Sequence, residues 1–280
     1  MAMQTGEPLK LLCQTLGVSR TGYYAHRQKP QRPRRVQDQK LAAQITPLFQ
    51  QSRRTYGSPR IQAALRRAGE RCGKNRIARL MRQQGLRARQ KRRFRPQTTQ
   101  SQHALPVAEN WLARVPAPTR PNQIWVGDIT YLPTTEGWLY LAVILDACSR
   151  KVVAWQVEDH LESSLVTEAL KQARQRRGHA PGLLHHSDRG VQYASSAQRT
   201  LLATYQITAS MSRKGNCYDN ALAESFFATL KTEAFTAETP QTKTQTKREL
   251  FEYIEAFYNT RRLHSALTYQ SPLEFENQFR

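Results

Sequence analysis

Three acidic residues, Asp128, Asp188 and Glu224, stand in segments whose patterns would bring their side chains to one site. Carboxylates grouped without a compensating basic side chain repel one another, and a hard divalent cation relieves that repulsion. Oxygen-only ligands suit Mg²⁺, which keeps several waters and accepts phosphate oxygens. Two such ions about 3.5–4 Å apart stabilise the attacking and leaving oxygens of an in-line displacement at phosphorus. The three acids therefore predict a two-metal site, with Asp128 bridging both ions and Mn²⁺ able to replace Mg²⁺.

Neighbouring polar residues have simpler interpretations. Asp146 ends the strand-like run in ILDACSR and is interpreted as a turn or capping residue. Asp219 precedes a helix start, where N-capping is the usual role. His185 and His186 are adjacent, so a strand would point them to opposite faces. We expect His186 and Asn220 to contact the side chains of the metal ligands, or to contact phosphate, rather than to bind the metal themselves.

The segments that hold these residues alternate between strand and helix patterns from residue 122 onward. Three β-rich runs, IWVGDITYLP, WLYLAVILDA and KVVAWQVE, are separated by turn-like breaks. Helix, strand, helix, short strand and helix then follow as SSLVTEALKQARQRR, GLLHHSD, SSAQRTLLATY, ITASMS and NALAESFFATLKTEAF. This order predicts an α/β domain of the RNase H-like fold, whose first and fourth strands are neighbours about 4.8 Å apart. That adjacency would let Asp128 and Asp188 share a metal ion.

The positive charge of the chain is concentrated in its first half. The 280 residues contain 43 Lys and Arg against 21 Asp and Glu, a net charge of +22, yet acids and bases balance beyond residue 127. A basic segment joined to a neutral one is typical of a DNA-binding arm on a catalytic core, because phosphate neutralisation requires many Lys and Arg. The alternative is a disordered basic tail, against which the helical periodicity of the arm argues.

Helix signals recur through the basic half. LKLLCQTLGVSRTGYYAH fits a short helix ending near Gly17 and a second helix capped by Ser19, as in a helix-turn-helix. RQKPQRPRR is interpreted as a spacer too rich in Pro and Arg to pack, and residues 41–51 as a helix. YGSPRIQAALRRAG predicts a helix with Ser58 as its N-cap and Gly69 as its stop, and KNRIARLMRQQGL predicts the next one.

This second helix pair is expected to contact DNA, because acidic partners for its many arginines are missing from the pattern. The alternative is a small helical bundle with solvated basic faces. RQKRRFRPQTTQSQHALP is interpreted as a basic linker that could follow a DNA backbone. The expected DNA contacts are Arg20, Tyr23, Arg60, Arg76, Arg79, Arg92, Arg93, Arg213, Lys214 and Lys231.

The cysteines and the hydropathy exclude several classes of protein. The four cysteines are scattered without a CxxC pair, which indicates small core residues in a reducing compartment and no zinc site. They are Cys13, Cys72, Cys148 and Cys217. No apolar run approaches the length of a membrane span, and the N-terminus lacks a signal-peptide core. We therefore expect a cytoplasmic protein.

Several motifs together resemble a known family. WVGDITY, HHSDRGVQY and SRKGNCYDNALAESFFATLK are similar to the catalytic signature of the insertion sequence 3 family of bacterial DDE transposases. YIEAFYNTRRLHSALTYQSPLEF resembles the C-terminal signature of that family, and SRRTYGSPRIQAALR its helix-turn-helix. Asp188 and Glu224 have the spacing that the family keeps between its second and third acids. The basic residue expected two helical turns after the glutamate is Lys231, where a cation could hold a DNA phosphate.

The resemblance implies a catalytic core of the retroviral integrase superfamily and an activity in DNA transposition. Such an enzyme binds the terminal inverted repeats of its element, nicks a strand, and uses the freed 3′-hydroxyl to attack another phosphodiester. Family members typically form a circular intermediate and act as DNA-bound oligomers on element ends and target DNA. The upstream reading frame of the family, which carries a leucine zipper, has no counterpart in the pattern. The chain therefore resembles either the downstream-frame product alone, which could require that partner, or a member that dispenses with the zipper.

Two other functions remain open from the sequence. A DNA-binding regulator of the same fold would have lost one of the carboxylates, and all three are present. A nuclease that hydrolyses DNA without joining it would keep them. The predicted organisation is a helix-turn-helix, a second helix-turn-helix-like segment, a basic linker, an RNase H-like core and a C-terminal helical extension, at residues 1–30, 38–90, 91–120, 121–235 and 236–280.

Overall fold

The computed structural model describes residues 9–27, 33–89, 104–213, 220–235 and 241–279. Most of the predicted basic linker, with Arg92 and Arg93, lies outside the described residues, and so do Lys214, Cys217 and Asp219. The chain divides into two compact units. Unit 1 comprises the residues up to Gln51 together with Gly57–Arg87, and unit 2 comprises Ser52–Tyr56 together with the residues from Ala88 onward.

The described part of unit 1 is helical. Its helices are α1 (Leu9–Thr15), α2 (Arg20–Arg27), α3 (Pro33–Gln51), α4 (Ser58–Arg67) and α5 (Lys74–Gln83). The predicted turn between the first two is present: Gly17 has a φ of 60°, and the Ser19 hydroxyl accepts a 2.9 Å hydrogen bond from the Gly22 amide. The apolar side chains of α3, α4 and α5 form the core, with Leu41, Ile45, Phe49, Ile61, Leu65, Ile77, Leu80 and Met81 buried.

Two local predictions in unit 1 are wrong. The supposed spacer ends earlier than expected, because α3 begins at Pro33 and includes Arg34 and Arg35. Proline is tolerated in the first turn of a helix and arginine is a good helix former, so the composition does not prevent the helix. The N-cap of α4 is Gly57, and Ser58 is already helical without a side-chain capping bond. The predicted stop is present, since Gly69 follows α4 with a φ of 88°.

Unit 2 contains a mixed five-stranded sheet in the order β3-β2-β1-β4-β5. The strands are β1 (Ile124–Thr134), β2 (Gly137–Asp146), β3 (Val152–Glu158), β4 (Leu184–Ser187) and β5 (Thr208–Met211). The first three form the predicted antiparallel meander, and β1, β4 and β5 run parallel. Every predicted strand is present, and the first and fourth are neighbours as expected.

Helices cover the sheet of unit 2 and follow the predicted order. They are α6 (Ser163–Arg177), α7 (Val191–Ala194), α8 (Ser196–Thr204) and α9 (Ala221–Glu233), of which the short α7 was not predicted. The core between helices and sheet includes Trp125, Ile144, Leu165, Leu170 and Leu202. The C-terminal part continues with α10 (Lys243–Phe251), a π-helical segment (Glu252–Tyr258), a 3₁₀ turn (Ser265–Leu267), α11 (Pro272–Glu276) and a last 3₁₀ turn (Asn277–Phe279).

Both outer strands of the sheet are covered by other parts of unit 2. Beside β5, the amide of Met211 donates to the carbonyl of Glu109, and the Ser210 hydroxyl accepts from the amide of Leu112. Beside β3, the side-chain amide of Asn259 donates to the Val152 carbonyl at 3.0 Å and accepts from the Val152 amide at 2.9 Å. Covered edges leave fewer open backbone groups for unwanted strand pairing.

Two compositional predictions can be compared with the described residues. Cys13 is buried, but Cys72 and Cys148 are only partly buried, so the expectation of core cysteines is correct for the first alone; all three are free thiols. Among the described residues, no helix combines the length and the apolar character needed to cross a membrane.

Candidate active site

The two predicted aspartates lie on adjacent strands. Parallel pairing aligns Trp125 with His185 and Val126 with His186. Extending that register by two residues places Asp128, inside β1, opposite Asp188, which directly follows β4. The short strand β4 thus ends at the point where the carboxylate of Asp188 can face the carboxylate of Asp128 on β1.

The third acid, Glu224, lies near enough to Asp128 to affect its pKa. Burial raises the pKa of Asp128 well above its usual range, and the charges of Asp188 and Glu224 raise it further. Two hydrogen bonds act in the opposite direction, because Asp128 accepts from the Ile129 amide, at 2.8 Å, and from the Asn220 side chain. Because Glu224 is exposed in the first turn of α9, the cluster has a solvent-facing side.

Backbone groups orient the second aspartate. The carboxylate of Asp188 accepts a 2.9 Å hydrogen bond from the amide of Gly190, two residues later. The next side chain, Arg189, donates from its Nε to the Ser212 carbonyl at 2.7 Å, which ties this loop to the segment after β5. The turn after β4 is therefore fixed by one hydrogen bond within the turn and one to the segment after β5.

Two buried aromatic side chains, Tyr193 and His185, lie close to the strand segment that carries Asp128. The role of Tyr193 was not predicted from the sequence. Tyr193 of α7 is buried, and burial followed by the charges of Asp128 and Asp188 raises its pKa well above the usual range. His185 is also buried, and burial lowers its pKa to about 4, so it is neutral at pH 7. A side chain on Gly127 would come within 2.9 Å of Nε2 of His185 and 3.3 Å of the Tyr193 ring. A glycine inside a β-rich run is the one sequence signal of this close packing.

Other predicted residues near the site occupy distinct positions. Nδ1 of His186 lies 2.9 Å from the hydroxyl of Ser210 on β5, and both side chains are buried. Asn220, the N-cap of α9, reaches Asp128 as described above. Asp146 has the structural role expected of it, since its carboxylate accepts hydrogen bonds from the amides of Asn122, Cys148 and Ser149.

One electrostatic expectation about the acids is wrong. A basic side chain is present, because Lys231 of α9 lies near enough to Asp128 for its pKa to be affected by that charge. Burial lowers the pKa of Lys231, and the negative charge of Asp128 works in the opposite direction. Two helical turns separate Lys231 from Glu224, so both side chains project from nearly the same face of α9. Lys231 therefore compensates part of the negative charge.

The donor set of the three acids fits a hard divalent cation. All of the side chains offer carboxylate oxygens, and such a cation would relieve the repulsion by which Asp188 and Glu224 add to the effect of burial on the pKa of Asp128. A second cluster of possible metal ligands is also present among the described residues. It consists of Glu158, Asp159 and His160, whose ligand atoms all lie within 4.8 Å of one another. Asp159 also pairs with Lys243, 3.3 Å away, which makes that cluster a poor cation site.

The predicted DNA contacts in unit 1 are only partly available. Arg76 and Arg79 both pair with Asp38 of α3, at 2.6 and 2.5 Å, so the expectation that acidic partners are missing is wrong for these two. The pairing holds the pKa of Asp38 below its usual range, through hydrogen bonds from Arg79 and Arg76. Arg20 and Arg213 are exposed, whereas Tyr23 and Arg60 are partly buried.

Comparison with known proteins agrees with this architecture. Two family models described as "Integrase core domain" match residues 118–217 and 224–279, and one described as "HTH-like domain" matches residues 36–94. The first core match includes Asp128 and Asp188, and the second begins at Glu224.

Relatives of similar length decide the family. The chain is 39% identical over 96% of its length to "Transposase InsF for insertion sequence IS3A" of Escherichia coli (strain K12), covering 94% of that protein. The chain belongs to the IS3 family of DDE transposases. This transposase is also 42% identical to "Insertion element IS600 uncharacterized 31 kDa protein" of Shigella sonnei, over 96% of its own length and 98% of that protein. The predicted fold class, an RNase H-like core preceded by helix-turn-helix segments, is confirmed.

A solved structure of simian T-cell lymphotropic virus intasome bound to a PP2A regulatory subunit is similar at 18% identity and a TM-score of 0.49. The match covers 77% of this transposase and 70% of that chain. Family membership rests on the transposase relatives and the family models.

Proposed function

We propose that this transposase binds the terminal inverted repeats of its own element and joins DNA strands at a site formed by Asp128, Asp188 and Glu224. The observation that carries the proposal is the placement of Asp128 and Asp188 on adjacent parallel strands, within the electrostatic field of Glu224. Proteins place like charges close together where a cation relieves their repulsion, and carboxylates with shifted pKa values cluster at functional sites.

Two Mg²⁺ ions, or Mn²⁺ in their place, are the cofactors that this donor set suits best. Asp128, Asp188 and Glu224 would hold them. When bound, the ions supply Lewis-acid stabilisation of the attacking and leaving oxygens.

The residues around the acids would orient them and the DNA. The Ile129 amide and the Asn220 side chain fix Asp128, and the Gly190 amide fixes Asp188. Lys231 would hold a phosphate of the transferred end. In the reaction, a 3′-hydroxyl oxygen bonds to a phosphorus atom, the bond from that phosphorus to its own 3′-oxygen breaks, and a new 3′-hydroxyl remains. No covalent bond between protein and DNA is required.

The DNA would bind along unit 1 and the basic residues that follow it. Element ends and target DNA are both double-stranded substrates, and joining one end to the other on the same strand would give a circular intermediate. Paired ends require more than one protomer, so a DNA-bound oligomer of this chain, with or without the upstream-frame protein, is the proposed assembly. Such an assembly would work at the bacterial nucleoid, in the cytoplasm.

A strand-transfer assay with labelled DNA from the ends of the parent element tests the proposal. The wild-type chain and Glu224→Gln are compared in Mg²⁺ and Mn²⁺. Glutamine keeps the size of the side chain but removes its charge, so we expect joined products to be abolished while DNA binding remains. Joining by Glu224→Gln at the wild-type rate would disprove the assignment of the acids.

The same assay separates the alternatives. Binding without joining by the wild-type chain would indicate a regulator or a need for the upstream-frame partner, which can be added back. Cleaved but unjoined ends would indicate a nuclease. Neither alternative has a specific observation in its favour among the described residues, whereas all three acids required for joining are present.

A further inference from the structure

Helix α9 carries two residues of the proposed site, and its described contacts are concentrated on the side away from them. Glu224 lies in its first turn and Glu233 is its last residue. Nine residues span about 13 Å and two and a half turns of helix, so these two glutamates project from opposite sides. Glu224 is exposed, whereas Glu233 is buried. The contacts of Glu233 therefore lie half a turn around the helix from Glu224.

The carboxylate of Glu233 is held by a buried fork. Nε of Arg262 donates to Oε2 at 2.7 Å, and Nη2 donates to Oε1 at 2.7 Å. The hydroxyl of Tyr253, itself fully buried, donates to Oε2 at 2.9 Å. The Glu233 carbonyl accepts a 2.8 Å bond from Nη1 of Arg89. Every carboxylate oxygen of Glu233 thus has a charged donor in the C-terminal part of the chain.

The plane of the arginine is fixed in turn by its own neighbours. The guanidinium of Arg262 lies over the Tyr258 ring, 5.6 Å from its centre, and Nη1 approaches Nε2 of His264 at 3.4 Å. The Tyr258 ring also packs edge-on against Phe226 of α9, with centroids 4.9 Å apart. Ring packing tolerates sliding, but a bidentate fork is directional, so the fork sets the rotation and the axial position of α9.

We infer that Glu233 and Arg262 are positioning residues that set where Glu224 and Lys231 stand relative to Asp128. The inference rests on the proposed metal site and assigns a task to the C-terminal signature of the chain. Buried ion pairs contribute little net stability compared with apolar replacements, so their directional geometry is the more specific contribution. One of the two integrase core models, at residues 224–279, spans both the acid and the fork that orients it.

Binding of Mn²⁺ to the full-length protein, measured by titration calorimetry without DNA, tests the inference. Arg262→Lys keeps the charge but loses the fork, so we expect about tenfold weaker Mn²⁺ binding, as for other changes to groups that orient metal ligands. The matched control is Arg177→Lys, because Arg177 of α6 pairs with Glu276 of α11 at 2.5 Å and is partly buried, with 15% of its side chain exposed against 5% for Arg262. The control should lose comparable thermal stability and keep wild-type Mn²⁺ affinity. Equal affinity in Arg262→Lys and wild type, or equal losses in both variants, would overturn the inference.

A double variant covers the case in which Arg262→Lys does not fold. Glu233→Met with Arg262→Met replaces the pair by apolar side chains of similar length, which buried sites often accept without loss of stability. A folded double variant should bind Mn²⁺ about tenfold more weakly than wild type, and unchanged binding would contradict the positioning role. Asp128→Asn distinguishes this failure from failure of the proposed function: if it binds Mn²⁺ like wild type, the metal site itself is wrong.

Discussion

The carboxylates of this transposase differ in how their charge is satisfied. Asp146 is fully buried but receives three backbone amides, and Asp38 receives two arginines. Asp128 is partly buried, and the charges of Asp188 and Glu224 add to the effect of burial in raising its pKa. A partly buried acid whose neighbours are other acids is unstable as a structural element and useful as a cation ligand. This contrast, and not acidity alone, separates the candidate ligands from the structural aspartates.

At the same scale, Lys231 has two possible partners, namely Asp128 and a DNA phosphate. We expect Lys231→Ala to weaken binding of end DNA and to make the slope of log K against log salt shallower by about 1, because one phosphate contact is lost. The measurement is a salt titration of binding by fluorescence anisotropy. Strand joining should fall with it.

The control for Lys231→Ala is Lys171→Ala, which removes an exposed charge paired with Glu168 on α6 and should leave the slope unchanged. A different result for Lys231→Ala would indicate that Asp128, and not a DNA phosphate, is the partner of Lys231. If the salt slope of Lys231→Ala equals that of wild type while its Mn²⁺ affinity rises, Lys231 serves only to neutralise Asp128, and its role as a phosphate contact is wrong.

At the scale of elements, Asn259 substitutes for a strand at the open edge of β3. Its side-chain amide makes the two hydrogen bonds to Val152 that a neighbouring backbone would make, and Val152 is buried. Asn259→Ala would leave a buried amide and carbonyl without partners, at a cost of about 1–3 kcal/mol for each. We therefore expect a clear loss in the free energy of unfolding, measured by urea denaturation.

Gln278→Ala is the comparison for Asn259→Ala, because it also removes a side-chain amide, one that bonds to Gln270 in an exposed position. Its free energy of unfolding should stay within about 0.5 kcal/mol of wild type. Similar losses in the two variants would show that the edge contact of Asn259 contributes no more than a surface bond.

Much of the element order could be predicted from the sequence because each signal is local. Runs rich in β-branched, aromatic and other apolar residues mark β1, β2 and β3, and glycines mark the ends of α4 and α5. The three acids followed from the same reasoning, since strand order alone places Asp128 beside Asp188. The spacing to Glu224 added the third member.

The remaining features depend on residues far apart in the chain. Asp38 meets Arg76 and Arg79 only when α3 packs on α5, and Glu233 meets Arg262 across a helix, a π-helical segment and a loop. No periodicity encodes such pairs. The start of α4 was misplaced by one residue, because both Gly57 and Ser58 are acceptable caps and tertiary packing decides between them.

At the scale of the whole molecule, charge and chemistry are divided between two units. The acids lie in unit 2, whose part beyond residue 127 is neutral, and the excess of Arg lies in unit 1 and the basic residues that follow it. The ion pairs of Arg76 and Arg79 mean that the number of Arg overstates the charge available to DNA. Exposed arginines at the helix ends of unit 1 are the better candidates for phosphate contacts.

This division predicts how DNA affinity depends on salt. A variant of unit 1 that lacks three exposed arginines should lose three phosphate contacts. Each contact contributes about 0.9 to the slope of log K against log salt, so the slope should become shallower by about 3. In this variant, the exposed residues Arg20, Arg66 and Arg82 are each replaced by Gln. The control carries the same substitution at exposed residues of unit 2, namely Lys171, Lys247 and Arg248. Salt titrations of end-DNA binding should show a shallower slope for the first variant and the wild-type slope for the control; the reverse order would place the main DNA surface on unit 2.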